Sequence, residues 1–237
     1  SGGLTRKALT EIADLLEVAD EAAEINAIVV LGGKSSFCIG LSLDEFLAPS
    51  GLDDLANVLR RCFHAFARTK KPIVVVVEGP AIGLGVSLLC HADVVVADRN
   101  ATFEAPFVSL GLLPEAGSTM MMTQRIGYLR AIRLLCLSEA LGAQEALDLG
   151  LVSEVTETNP RSRGFELAGR LAKLPADAVR TTKKLMRGSL DELDRRIDLE
   201  VAASRQRLED ARVRRRVALF AGVAKSGQTA IRRQVGE

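Results

Sequence analysis

One acid stands out by its setting. Glu115 lies in GLLPEAGST, residues 111–119, after an apolar stretch and between a proline and a run of very small residues. A carboxyl group held among apolar neighbours is a stronger base than one in water, because burial penalises its charged form. Leu112, Leu113 and the Met120–Met122 run supply such neighbours in sequence. A group of this kind can take a proton from a reacting molecule and give it back. A plainer role is open as well: PEAGST reads as a helix start, with Glu115 in the first turn complementing the helix dipole.

Two glycine-rich stretches offer a second kind of chemistry. VEGPAIGLGVSLL, residues 77–89, carries Gly79, Gly83 and Gly85 and predicts a tight turn into a helix starting near Gly83. The first N–H groups of a helix lack internal partners and favour an anion or a developing oxyanion. SSFCIGLSLDEF, residues 35–46, has the same layout of small residues, Gly40 and a short helix. Two amides from separate loops could grip one carbonyl oxygen. Each loop alone is equally a strand-to-helix turn demanded by packing.

The elements that must hold these loops can be read from the apolar pattern. Leu9, Ile12, Leu16 and Ala19 recur at helical spacing, and NAIVVLGG follows as a buried strand. Residues 52–70 predict an amphipathic helix with Leu55, Leu59, Cys62, Phe63 and Phe66 on one face. KPIVVVVEG, DVVVADR and ATFEA read as strands, and their continuous valine runs fit a sheet covered on both faces. Beyond residue 118 strands almost vanish, LVSEV being the last good candidate, and from about 160 the pattern is helical. The expected organisation is an α/β core over residues 1–160 and a helical region over 161–237. Ligands in open α/β sheets sit beyond the carboxyl ends of strands, where both glycine loops fall.

Composition removes several alternatives. A net charge of +1 gives no global attraction to nucleic acid or an anionic membrane. Aromatic residues make up only 4% of the chain, with no Trp, so stacking platforms for single strands are not expected. Cys38, Cys62, Cys90 and Cys136 form no CxxC pair, and with His64 and His91 they show no zinc spacing, so no metal is expected and reduced thiols in a cytoplasmic protein are. His64 and His91 read as packing or cap residues, and Cys38 as a small hydrophobe or a reactive thiol. No apolar run reaches the length of a membrane span, and no secretory signal is visible.

Taken together, SSFCIGLSL, KPIVVVVEGPAIGLGVSLLCHADVVVAD, ATFEAPFVSLGLLPEAGST and ALDLGLVSEV resemble the crotonase family, the enoyl-CoA hydratases and isomerases. The resemblance covers nearly the whole chain, although the strand hairpin with which the family usually begins looks shortened or missing. It implies a spiral of repeated ββα units with a helical C-terminal region that assembles trimers or hexamers. It also implies an acyl-CoA substrate, with coenzyme A as part of that substrate and no other cofactor.

By motif position the resemblance assigns the oxyanion hole to the backbone N–H groups of Leu41 and Leu84, next to Gly40 and Gly83. It sets the carbonyls of Ser36, Phe37, Cys38 and Ile39 toward the adenine of coenzyme A, and marks Leu112, Phe220 and Lys225 as further substrate-binding candidates. Arg212 and Arg214–Arg216 are candidates for its phosphates, against the plainer reading of a solvated helix face. Where the family often has an acid after the first loop, this chain has Ser42. Its hydratases use two glutamates, and those positions hold Ser87 and Phe107 here, so the two-glutamate route is disfavoured. LGLLPEAGST resembles the LGLxPEGxSS motif of peroxisomal-type Δ3,Δ2-enoyl-CoA isomerases, whose glutamate is the single base; Ala116 and Gly117 depart from it. The implied activity is a shift of a double bond from 3-enoyl-CoA to 2-enoyl-CoA with Glu115 as catalyst. A hydratase or other crotonase reaction and a non-catalytic acyl-CoA binder are the alternatives.

Overall fold

The structure, a computed structural model, describes residues 3–33, 35–48 and 51–225, with side chains to residue 222. It opens with helix α1 (Arg6–Glu21), capped by the Thr5 hydroxyl, which accepts from the Ala8 N–H at 3.2 Å. The far end of α1 is held by the buried Lys71, whose ammonium donates to the carbonyl of Ala19 at 2.5 Å and to that of Ala22. The Ala19 carbonyl lies in the last turn of α1 and the Ala22 carbonyl also accepts from the Ile25 N–H at 3.2 Å, so the buried amine is satisfied by the helix end it holds. The apolar stripe of α1 packs against α3 (Leu52–Arg68), and Leu55, Leu59, Cys62, Phe63 and Phe66 form the buried face of α3 as their spacing predicts.

Strands β1 (Ile28–Leu31), β2 (Ile73–Val77), β4 (Val94–Asp98) and β7 (Glu154–Thr156) form a parallel sheet in the order β1-β2-β4-β7. All five residues of β2 are buried, which explains its unbroken Ile-Val run. Helix α8 (Pro160–Ala172) presses so closely on this sheet that a Cβ on Gly164 would stand 2.2 Å from Val76 Cγ2. A second sheet joins β3 (Pro80–Ile82), β5 (Thr102–Glu104) and β6 (Leu141–Gly142), with β3 parallel to β5 and β5 antiparallel to β6.

The chain therefore alternates between sheets before each helix. β2 runs into β3 and then α4 (Leu84–Ser87); β4 runs into β5, a 3-10 turn at Val108–Leu110, and α5 (Ser118–Ile126). This is the repeated strand-strand-helix unit that the resemblance implies. Two of its strands are absent from the sequence reading. β3 is three residues of a glycine- and proline-rich stretch read as a turn, and β6 is a two-residue pairing without periodicity.

The rest is mainly helical: α6 (Tyr128–Leu135), α7 (Ala143–Asp148), α8, α9 (Ala176–Arg187), α10 (Leu190–Arg207) and α11 (Ala211–Lys225). α10 returns across α3 and is tied to it by His64 Nδ1 to Asp194 Oδ1 at 2.7 Å and Arg60 Nε to Asp198 Oδ1 at 3.0 Å. His64 is thus an inter-helix tether, in keeping with its reading as a packing residue. α11 lies on the short helix α2 (Leu43–Leu47). Among the described residues, no helix is long and apolar enough to cross a membrane.

Candidate active site

The two glycine loops are locked side by side by main-chain bonds. Phe37 N–H donates to the Pro80 carbonyl at 3.0 Å, and Ile82 N–H donates to the Cys38 carbonyl at 2.8 Å. Glycine permits this approach: a Cβ on Gly85 would stand 2.3 Å from the Cys38 oxygen. A Cβ on Gly40 would stand 3.1 Å from the Ile82 oxygen and 3.6 Å from the Leu84 nitrogen. The Gly40–Leu41 and Gly83–Leu84 corners are therefore neighbours. Gly83 adopts φ 55°, ψ −115°, a conformation open essentially to glycine.

Leu4 pairs with the Gly40 carbonyl and the Ser42 amide, each at 2.8 Å, and so bypasses the N–H of Leu41 between them. Among the described backbone bonds neither the Leu41 nor the Leu84 N–H donates to a carbonyl. The helix that follows Leu84 is shorter than the sequence predicts. α4 has four residues and passes into a 3-10 turn at Leu88–His91, so little helix dipole stands behind these amides. What they offer is two local N–H dipoles fixed by the surrounding glycine contacts.

Both corners open on one cavity of about 980 Å³, which Glu115 also lines. Leu55 and Leu59 of α3, Val201 of α10 and Phe220 of α11 give it largely apolar walls. Glu115 is 6% exposed, and its carboxyl is pushed up to about 8, first by burial and then by the nearby Glu200 carboxylate. Among the described residues no donor is hydrogen-bonded to its side-chain carboxyl. It is a base strengthened by dehydration, as its apolar sequence setting predicts.

Glu115 does not serve as a helix-capping acid. α5 begins at Ser118 with Gly117 as its N-cap, so Glu115 lies two residues before the cap. The Ser118 N–H closes back on the Glu115 carbonyl at 3.1 Å, with Ala116 at φ 61° and Gly117 at φ 74° between them. Two successive left-handed residues inside such a closure are the mark of a type I′ turn. His91, fully buried, supports the turn from below: Nε2–H donates to the Ala116 carbonyl at 2.8 Å. Burial drives its imidazole down to about 3, so it is neutral and donates through Nε2.

The acid that does cap α5 is Glu200, from α10. Gly117 N–H donates to Oε2 at 2.6 Å, while Thr119 N–H and Oγ1–H donate to Oε1 at 3.0 and 2.6 Å. The sequence reading passed over Glu200. Its signal was there: in a helix whose buried positions include Leu193, Ile197 and Val201, Glu200 falls on the same face.

Other candidates separate into those at the cavity and those away from it. Ile39, Gly40, Leu41, Gly83, Leu84, Leu112 and Phe220 line it along with Glu115; Ser36, Phe37 and Cys38 do not. Those three residues run beside β3, and the Cys38 carbonyl is engaged by the Ile82 amide. Burial pushes the Cys38 thiol up, so it stays protonated and acts as a small apolar residue. Lys225 ends α11, and its side chain lies outside the described residues. Arg212 pairs with Asp210 at 2.8 Å, and Arg214–Arg216 are exposed, as on a solvated helix face. Ser87 is fully buried and away from the cavity, whereas Phe107 lines it. Met122 is buried in the core, Met120 and Met121 are partly buried against it, and none of the three lines the cavity.

Comparison with known proteins places this geometry. The model of the enoyl-CoA hydratase/isomerase family matches residues 2–224, and the chain belongs to that family. Its members act on acyl-CoA substrates. The chain is 34% identical over 180 residues to enoyl-CoA delta isomerase 2 of Rattus norvegicus, covering 73% of this chain and 46% of that protein. It is also 34% identical over 172 residues to a probable enoyl-CoA hydratase of Rhodobacter capsulatus, covering 70% and 66%. The chain thus spans less than two thirds of either relative's length. Among solved structures, an enoyl-CoA hydratase/isomerase from Pseudoalteromonas atlantica superimposes with a TM-score of 0.85 at 33% identity, covering 92% of this chain and 87% of that one.

Proposed function

We propose that the protein is a Δ3,Δ2-enoyl-CoA isomerase with Glu115 as its single base. One observation carries this reading: a buried, dehydrated carboxyl faces the same cavity as two main-chain N–H groups from glycine-fixed corners. The thioester oxygen of a 3-enoyl-CoA would accept from the Leu41 and Leu84 amides. Glu115, ionised, would remove a proton from C2. The electron pair would spread through C2, C3 and C4 onto the thioester oxygen, where two donors act in a largely apolar site and are strongest. The protonated Glu115 would then deliver the proton to C4, leaving the double bond between C2 and C3 and the carboxylate restored. One acid/base of this kind typically contributes about 10²- to 10⁴-fold.

A second reading is hydration of a 2-enoyl-CoA. Glu104 lines the same cavity as Glu115, and the Rhodobacter relative is a probable hydratase. Against the family's two-glutamate hydration stand Phe107 at the cavity and Ser87 away from it. Mass spectrometry of the product from a 3-enoyl-CoA separates the two: isomerisation leaves the mass unchanged and hydration adds one water. Glu115→Gln is expected to abolish isomerisation, and an undiminished rate in that variant would remove Glu115 from the role of base.

A further inference from the structure

Glu200 is a carboxylate 6% exposed, on a helix far along the chain from the residues it touches. Among the described residues it forms no ion pair, and its bonds are the N–H groups of Gly117 and Thr119 and the Thr119 hydroxyl. Capping α5 does not by itself explain this. A Ser or Asp at the N-cap could accept from the Thr119 N–H locally, without burying a charge brought from elsewhere, though not from its own N–H. Gly117 has no side chain to do this, and its φ of 74° favours glycine. The carboxylate must therefore reach across from α10, and it lands on the residue two places after Glu115.

We propose that Glu200 is the positioning residue for the Glu115 base: by gripping the Gly117 and Thr119 donors it fixes the left-handed Ala116–Gly117 corner that presents Glu115 to the cavity. The inference rests on the reading of Glu115 as base. Ala116 needs such support, since a residue with a Cβ at φ 61° is strained and relaxes unless its surroundings over-determine it. Two buried groups hold the corner, His91 on the Ala116 carbonyl and Glu200 on the Gly117 amide. Glu200 acts through charge as well as geometry. The groups acting on Glu115 are Glu200 and the thiols of Cys38 and Cys62, with Asp44, Glu104, Glu139 and Arg205 lining the same cavity; those acting on Glu200 are Arg196 on its own helix, Glu115 and Cys90. The three thiols are all held up by burial and stay neutral, so the carboxylate of Glu200 is the like charge that makes ionisation of Glu115 harder.

The test compares wild type, Glu200→Gln and Thr119→Val. A carboxamide can accept at one end only, so Glu200→Gln loses the charge and sets an N–H₂ against one of the two backbone N–H donors. Thr119→Val keeps the charge and removes one bond. kcat and KM for a 3-enoyl-CoA are measured across about pH 6 to 10, where the acid limb falls. The Glu115 carboxyl is titrated separately by 13C NMR, assigned by its absence in Glu115→Gln. Misplacing a catalytic group by about 1 Å can cost on the order of 100-fold, so Glu200→Gln is expected to lower plateau kcat by about 10- to 100-fold with little change in KM. Its acid limb and the NMR titration of Glu115 both move to lower pH. Thr119→Val lowers the plateau less and leaves the limb where it is. A purely structural cap would lower the unfolding midpoint while leaving the plateau and limb of the folded enzyme unchanged, and that result overturns the proposal. Should Glu200→Gln fail to fold, an unchanged plateau in Thr119→Val overturns it equally. A wild type inert toward 3-enoyl-CoAs would defeat the base reading; an active enzyme with an unmoved Glu115 titration would defeat the role of Glu200 alone.

Discussion

Replacing Glu115 by Gln should make the protein more stable, and increasingly so as pH rises. In the folded chain the Glu115 carboxyl releases its proton at about 8, whereas its ordinary value is 4.5. Below about 4.5 both folded and unfolded chains hold the proton, and this group makes no difference. Between 4.5 and 8 the unfolded chain has lost the proton while the folded one keeps it, so the folded state binds more protons and stability falls with each step up in pH. Above 8 the loss is complete. At 1.36 kcal/mol for each pH unit, the full window corresponds to about 5 kcal/mol. Water entering the cavity would relieve part of this, so a gain of about 3 to 5 kcal/mol at pH 9 is the expected range for Glu115→Gln. For a chain of this length that is on the order of 10 °C in Tm. The removal also frees Glu200, itself pushed up by burial, from a like charge, an effect of the same sign. Urea unfolding of both proteins at fixed protein concentration, from about pH 5 to pH 9, reads the difference from the midpoints at constant slope. A difference that stays flat across this range, or a Gln variant less stable at the alkaline end, would mean that Glu115 is hydrated in the folded protein. Glu115 would then not be a base strengthened by dehydration.

Three further outcomes follow from the same geometry. The rate on a 3-enoyl-CoA at subsaturating concentration should climb about tenfold for each pH unit below 8 and level off above it, because only ionised Glu115 takes the proton; an acid limb near 4.5 would contradict this. Gly85→Ala would push a methyl against the Cys38 oxygen, 2.3 Å away, and part the two corners. The overpacking should cost about 1 to 3 kcal/mol of stability, and loss of one oxyanion donor about 10²- to 10³-fold in kcat, measured by denaturation and by turnover. His91→Phe leaves the buried Ala116 carbonyl without its donor and should cost about 1 to 3 kcal/mol at neutral pH. Wild-type His91, held down to about 3, also loses stability as pH falls below 6.5, because the unfolded chain gains a proton that the folded one refuses. The Phe variant escapes that loss, so the two stability curves should cross at about pH 5.

Much of the positioning frame is legible in the sequence because it depends on local signals. The Ile-Val run of β2, the helical stripe of α3 and the glycines at 40, 83 and 85 each announce a period or a backbone need that neighbours in sequence determine. The setting of Glu115 is legible in part for the same reason: its apolar neighbours Leu112 and Leu113 do line the cavity, whereas Met120–Met122 do not. β3 and β6 are not, since strands of three and two residues have no room for a period and form only where a partner strand supplies the bonds.

Glu200 shows the remaining limit most clearly. An acid on the apolar face of α10 has no local reason to be there, and its reason appears only when a turn 83 residues earlier presents three donors that Gly117 cannot satisfy itself. His91 is the companion case, ending its 3-10 turn as a cap residue in sequence and yet spending its ring nitrogen on the next strained residue of the same corner. Both side chains converge on Ala116–Gly117 from elements that are remote in sequence. The placement of Glu115 in the cavity that the Leu41 and Leu84 corners share therefore depends on tertiary contacts rather than on the PEAGST stretch itself. That dependence carries its own consequence: substitutions at Glu200 or His91 should alter turnover without touching the cavity wall, whereas substitutions on the solvated Arg214–Arg216 face should not.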